Sequence, residues 1–434
     1  MKRSALVTVM IVAVFVVTGQ ALAGKPSDIV KLGEALYIDV NLSLNSNQSC
    51  MTCHHPLAGF VDTTNHIDPI NSPVSDGSDS TLFGGRNAPS AAYASFSPAL
   101  HCVDDGEGGT FCTGGMFWDG RATGLADTDT GGIVAGGITT GPTYDPLADQ
   151  AKGPFQNPIE MALTPDEVIA RVRVADYARL FQKAFGYNVA TEPAHIVYND
   201  IGNAIAAFEA SVKVNKFNSK FDKFAIEQTA VGVDVSTIAL NADGVVVNGL
   251  GTPVTSKVFM QEELQGLALF NMPNDNNGVL TTGEGGNCAA CHPSGPITDP
   301  TDSQGKTLFT DFSYDNLGVP VNPVIADLAG PQPTDKGLYD TLVNLNLFPS
   351  LPRSGTEGLF KVPTVRNVAQ TAPYAHNGFF PTLKSIVHFY NARIVEDLGD
   401  PEVGTPNEDE LGKLGLSPDQ EDKIVLFMET LTDR

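Results

Sequence analysis

Two pentapeptides, Cys50-Met51-Thr52-Cys53-His54 and Cys288-Ala289-Ala290-Cys291-His292, constrain this chain more than any other feature. In each, two thiols stand three positions apart and a His follows the second. That spacing lets the thiols reach both vinyl groups of one porphyrin while the imidazole turns under the ring to ligate iron, so each reads as an attachment site for a c-type haem. A structural zinc site also uses paired Cys, and a dithiol redox motif uses the same pair without the trailing His. With only six Cys and eight His in 434 residues, two complete pentapeptides are not a chance outcome. The reading is two covalently bound haem c groups, with His54 and His292 as iron ligands.

The N-terminus supplies a compartment for that chemistry. Lys2 and Arg3 precede an apolar run from Ala5 to Val17, and Ala21-Leu22-Ala23 offers a cleavage site. Residues 1–23 therefore read as a cleaved signal peptide and the protein as periplasmic. An uncleaved anchor is the competing reading, although the run is shorter than the ~20 apolar residues of a membrane helix. Cys102 and Cys112 sit in a Gly- and Asp-rich stretch with no His in ligand spacing. In an oxidising compartment they are expected to pair, stabilising the loop by roughly 2–3 kcal/mol, with two free thiols as the alternative. The formal charge of −24 becomes −26 once Lys2 and Arg3 are lost. It speaks against nucleic acid and for a cationic protein partner, although solubility alone would also account for it.

Helical signals alternate with long Gly/Pro/Asp-rich loops. Thr164-Pro165-Asp166-Glu167 is a capping box and predicts a helix running to about Phe185. Ala194 to Val212 repeats apolar residues at Ile196, Val197, Ile201, Ile205, Phe208 and Val212, a helical period. Gln261 to Asn271 and Glu421 to Leu431 read as two further helices. Ala230 to Val258 carries Asn-Gly and Asp-Gly turn pairs and predicts a hairpin, while Thr128 to Pro146 reads as a surface loop.

Five segments recur in this order in one family: Arg86-Asn87-Ala88-Pro89-Ser90, Phe117-Trp118-Asp119-Gly120-Arg121-Ala122, Gly153-Pro154 with Glu160-Met161, Phe360 to Asn367, and Thr371 to Gly378. From about Ile29 to its C-terminus the chain resembles the bacterial di-haem cytochrome c peroxidase and MauG family. The resemblance implies a mainly α fold of two cytochrome c-like haem domains, at 24–225 and 260–434, with long loops and a small β-hairpin insertion at 226–259. It further implies that hydrogen peroxide reacts at the haem of His54, with Glu160 as acid–base group and Gln150 as its neighbouring amide. Trp118 would relay electrons between the haems, and Asn87, Thr371 and Pro373 fall on the positions of a calcium site.

Two positions depart from the peroxidases of this family that draw on a small donor protein. Where those place Met as the axial ligand of the second haem, the alignment puts Tyr390, as in MauG; His376 and Met428 are the alternative ligands. A phenolate is a hard anionic donor that favours high oxidation states of iron. No His lies between Ser78 and Arg86 to cap the first haem, which leaves His66 as the candidate cap, with His55 and His101 less suitably positioned, and an open iron as the favoured state. The expected function is thus a di-haem peroxidase of the MauG type that oxidises a side chain on a partner protein. A peroxide-detoxifying enzyme fed by a small cytochrome or copper protein is the alternative, and a non-catalytic electron carrier the remoter one. A homodimer is compatible with the sequence.

Overall fold

Two helix pairs, each crossing at a glycine, organise the molecule. In the computed structural model, which describes residues 27–126, 133–135, 138–140, 145–296, 306–393 and 399–434, six helices matter most. They are α1 (Asp28–Tyr37), α2 (Pro165–Val174), α3 (Ala194–Glu209), α4 (Gln261–Asn271), α5 (Leu383–Ala392) and α6 (Pro418–Glu429). Helix α1 crosses α3 at Gly33, where a Cβ would lie 1.8 Å from the carbonyl oxygen of Ala204 and 2.9 Å from Cβ of Phe208. Helix α4 crosses α6 at Gly266, where a Cβ would lie 1.9 Å from the carbonyl oxygen of Lys423 and 2.9 Å from Cβ of Phe427. Only glycine lets the backbones approach so closely. The two crossings are equivalent, so the duplication visible in the haem motifs extends to their supporting helices.

Each pair carries its own core. Leu32, Leu36, Phe155, Val168, Ile201 and Ile205 belong to the first, and Leu264, Leu267, Phe270, Phe309, Ile424 and Phe427 to the second. Arg366, with its side chain wholly buried, joins them. Its guanidinium pairs with Asp222 at 2.6 Å, donates to the Thr307 carbonyl at 2.7 Å and lies 4.9 Å over the ring of Tyr93, a first-core residue.

Local signals set several boundaries. In α2 the capping box forms, with Thr164 N donating to Glu167 Oε2 at 2.8 Å. The helix does not run to Phe185, however: Ala175 turns extended with ψ 151°, and a separate helix covers Leu180–Phe185. The break lets the Tyr177 hydroxyl reach Asp39 at 2.6 Å. Helix α3 ends at Glu209, so Val212 falls outside the apolar stripe and is 80% exposed. The predicted hairpin is present as Ala239–Leu240 paired with Val246–Val247, and Ile238, Val246 and Val254 around it are buried in the second core.

Strands Ile133–Ala135 and Ile138–Thr140 pair in one sheet with Ala122–Ala126, so the Thr128–Pro146 segment is not purely loop; its remaining residues lie mostly outside the described ones. So does the signal peptide at 1–23. Cys102 and Cys112 are disulfide-bonded across a hairpin of His101–Asp104 and Thr110–Thr113. Among the described residues no helix is long and apolar enough to cross a membrane.

Candidate active site and haem cavities

The first pentapeptide forms a short helix, Cys50–Cys53, after which the chain turns at His54. The imidazole Nδ1 of His54 lies 3.3 Å from the carbonyl oxygen of Phe60, and the Tyr37 hydroxyl holds the His54 carbonyl at 2.8 Å. In the second motif Nδ1 of His292 lies 2.9 Å from the carbonyl of Phe309. A backbone acceptor at Nδ1 fixes the tautomer and leaves Nε2 to face a metal. Both imidazoles are held below their ordinary pKa by burial, so they are neutral and ready to ligate. Two thiols beside one oriented imidazole, each set opening into a cavity, fit covalent haem.

Cys50, Cys53 and His54 share a cavity of about 50 Å³ with Gln150, Glu160 and Glu209. Gln150 and Glu160, which the family resemblance puts at the first haem, both line the cavity of the first motif. His66 is on the short helix Thr63–Ile67 and is not among the lining residues. Glu160 follows the turn Asn157–Glu160, and Asn157 Nδ2 donates to its Oε1 at 2.7 Å. Burial raises the Glu160 carboxyl above its ordinary range, with the charge of Arg121 and the Asn157 amide pulling in the opposite direction. A buried carboxyl with an elevated pKa and one fixed oxygen can take up and return a proton.

The second cavity, about 280 Å³, is lined by Cys288, Cys291, His292 and Tyr390, and it extends to Trp118. Tyr390 lies on α5, and burial drives its phenol well above the ordinary tyrosine pKa, so only a cationic partner would draw off the proton. His376 and Met428 line the same cavity. The His376 ring is stacked on Phe360 at 3.6 Å, and its Nε2 lies 3.3 Å from Glu402, so that imidazole already has partners.

Trp118 is locked from several sides. Its Nε1 donates to the Asn87 carbonyl and its own carbonyl accepts from Lys361 N, both at 2.8 Å. The flanking Asp119 pairs with Arg86 at 2.7 Å and Arg121 at 3.0 Å, which holds the turn. Asn87, Thr371 and Pro373 line the same cavity as Trp118. With Asn87 Nδ2 spent on the Pro73 carbonyl at 2.9 Å, the donors left there are oxygens, a set that suits a hard cation.

Sequence reasoning missed Glu209, Asn157 and the role of Arg121 beside Glu160. A carboxylate four residues after Ile205, on the apolar stripe of α3, was the available signal for the first.

Residues 27–230 match the family described as di-haem cytochrome c peroxidase. Among curated relatives, the methylamine utilization protein MauG of Paracoccus denitrificans is 31% identical over 437 residues, covering 96% of this chain and 92% of its own. The cytochrome c551 peroxidase of Nitrosomonas europaea is 25% identical, covering 95% of this chain and 82% of its own. A crystal structure of a variant of the diheme peroxidase BthA from Burkholderia thailandensis superimposes with a TM-score of 0.66 at 26% identity, covering 95% of this chain and 88% of that one. Sequence, fold and paired cavities thus agree, and the chain belongs to the di-haem cytochrome c peroxidase and MauG family, mainly α-helical oxidoreductases that act on peroxide and carry two haem c groups.

Proposed function

We propose that this protein is a periplasmic peroxidase of the MauG type, reducing hydrogen peroxide at the His54 cavity and passing the oxidising equivalents to a side chain on a partner protein. The observation that carries this reading is that Tyr390 lines the same cavity as the second pentapeptide. Bound haem would supply the iron that meets peroxide and a second centre that stores an oxidising equivalent.

The chain's own residues do the rest. Glu160, with Oε1 fixed by Asn157, would accept a proton from bound peroxide and return it to the departing oxygen. Gln150 offers an amide in the same small cavity. Trp118, which lines the second cavity, would relay electrons between the haems, its indole N–H satisfied by Asn87 and its carbonyl held by Lys361 N. Tyr390 supplies a phenolate once a ferric centre compensates the burial that otherwise keeps it protonated. Asn87, Thr371 and Pro373 would hold calcium beside Trp118.

Mixing the fully oxidised protein with stoichiometric peroxide tests the reading. Direct loss of the ferric signals at both haems, with no electron supplied first, is expected. A requirement for prior one-electron reduction, followed by turnover with a small reduced cytochrome, would instead assign the donor-fed peroxidase.

A further inference from the structure

The two helix crossings fix a residue-by-residue correspondence between the halves. Gly33 meets Ala204 and Phe208; Gly266 meets Lys423 and Phe427. Ile205 therefore corresponds to Ile424, and Glu209 to Met428. The cavities agree, since Ile205 and Glu209 line the first and Ile424 and Met428 line the second. Where one half sets a thioether against its haem cavity, the other sets a carboxyl group.

That carboxyl group has no evident structural duty. Glu209 is 4% exposed, its Oε2 has no hydrogen-bond partner among the described residues, and the charge that acts on it is the like charge of Asp145. A buried carboxylate without a counter-charge is expensive, and retaining one beside a redox cofactor calls for an account. Its titratable neighbours are Asp145, ahead of the helix Pro146–Gln150, Tyr37 on α1 and the Cys50 sulfur, which is a thioether once haem is attached. Gln150 and Glu160 face the same cavity. None of these supplies a positive charge.

We infer that Glu209 is a redox-linked proton site for the haem on Cys50, Cys53 and His54, releasing its proton when that haem is oxidised and recovering it on reduction. The step balances: one electron leaves the haem iron for the external oxidant, one proton leaves the Glu209 carboxyl for water, and the net charge of the closed cavity is unchanged. Burial, with the Asp145 charge adding to it, pushes the Glu209 pKa up to about 8, so the reduced state holds the proton at neutral pH. Met428 can do nothing of the kind, so at this pair of equivalent positions only the first half carries a group whose charge can follow its haem.

The inference rests on haem at the first motif, not on which donor or partner the enzyme uses. Redox titration of the holoprotein as a function of pH, without peroxide, tests it separately from the proposed reaction. In wild type the potential of the first haem should fall as pH rises toward the elevated pKa of the reduced state and level off above it; in Glu209→Gln and Glu209→Met the slope should vanish while that of the second haem is unmoved. Redox-difference infrared spectra should show a protonated carboxyl band lost on oxidation in wild type and absent from both variants. Because Met is what the other half already carries, Glu209→Met keeps the packing testable if Gln perturbs folding. An unchanged pH slope and an unchanged carboxyl band in both variants would overturn the inference.

Discussion

The indole Nε1 of Trp118 donates to the carbonyl oxygen of Asn87 at 2.8 Å, so the chain's single tryptophan and an asparagine of the proposed calcium site are one structural unit. Anything that moves Asn87 moves the indole. Trp118→Phe should therefore leave the peroxide response of the first haem largely intact while slowing the response of the second, as followed by stopped-flow absorption at each. Equal slowing at both haems would argue against a relay. Chelation of calcium from wild type should give a weaker version of the same pattern.

Glu160 sits in the small cavity with its pKa raised by burial, and as a base it must be ionised before it can accept the peroxide proton. The rate of reaction with peroxide should fall as pH drops through that elevated pKa, above the ordinary carboxylate range. Glu160→Gln should lower the rate by about 10²–10⁴-fold and remove that limb of the pH profile. Retention of the limb in Glu160→Gln would assign it to another group.

Packing at the crossings gives a prediction independent of haem chemistry. A methyl group at Gly33 or Gly266 has to displace a helix backbone rather than a flexible side chain. Gly33→Ala and Gly266→Ala should each destabilise by about 1–3 kcal/mol or more, read from denaturant unfolding of the holoprotein. Each should act on its own half, so loss of the first haem's spectrum should track Gly33→Ala alone.

Arg366 is buried and pairs with Asp222, and the same guanidinium reaches the Tyr93 ring of the first core. Burial alone would raise the Asp222 pKa, but the Arg366 hydrogen bond and charge outweigh it and hold it below the ordinary value. The folded pKa lies under the unfolded value of about 3.9, so the pair's contribution is present above that pH and lost as pH falls through the folded pKa. Arg366→Met should cost about 3–5 kcal/mol near neutral pH, because Asp222 is left charged and unpaired. The gap between variant and wild type should narrow in acid as Asp222 protonates in both.

What was legible in the sequence was what chemistry writes locally. The haem pentapeptides, the Thr164–Glu167 capping box, the helix Gln261–Asn271 and the Cys102–Cys112 pair each depend on residues close in the chain. Gln150 and Glu160 were found through family motifs rather than periodicity. The break at Ala175 was not legible, because it serves a contact from Tyr177 to Asp39, far away in the chain. Gly33 and Gly266 read as ordinary helix-weakening glycines until their partners are known, and Glu209, although it falls on the apolar stripe of α3, shows its cavity only once the helix is set against the first motif.

Low-temperature EPR of the resting oxidised protein, wild type against Tyr390→Phe, bears most directly on the assignment of Tyr390. One high-spin and one low-spin ferric signal in wild type, with the low-spin signal altered or lost in Tyr390→Phe, is the expected result. A low-spin signal indifferent to the substitution would place another side chain, His376 or Met428, on the second iron and remove the basis for oxidation of a partner protein.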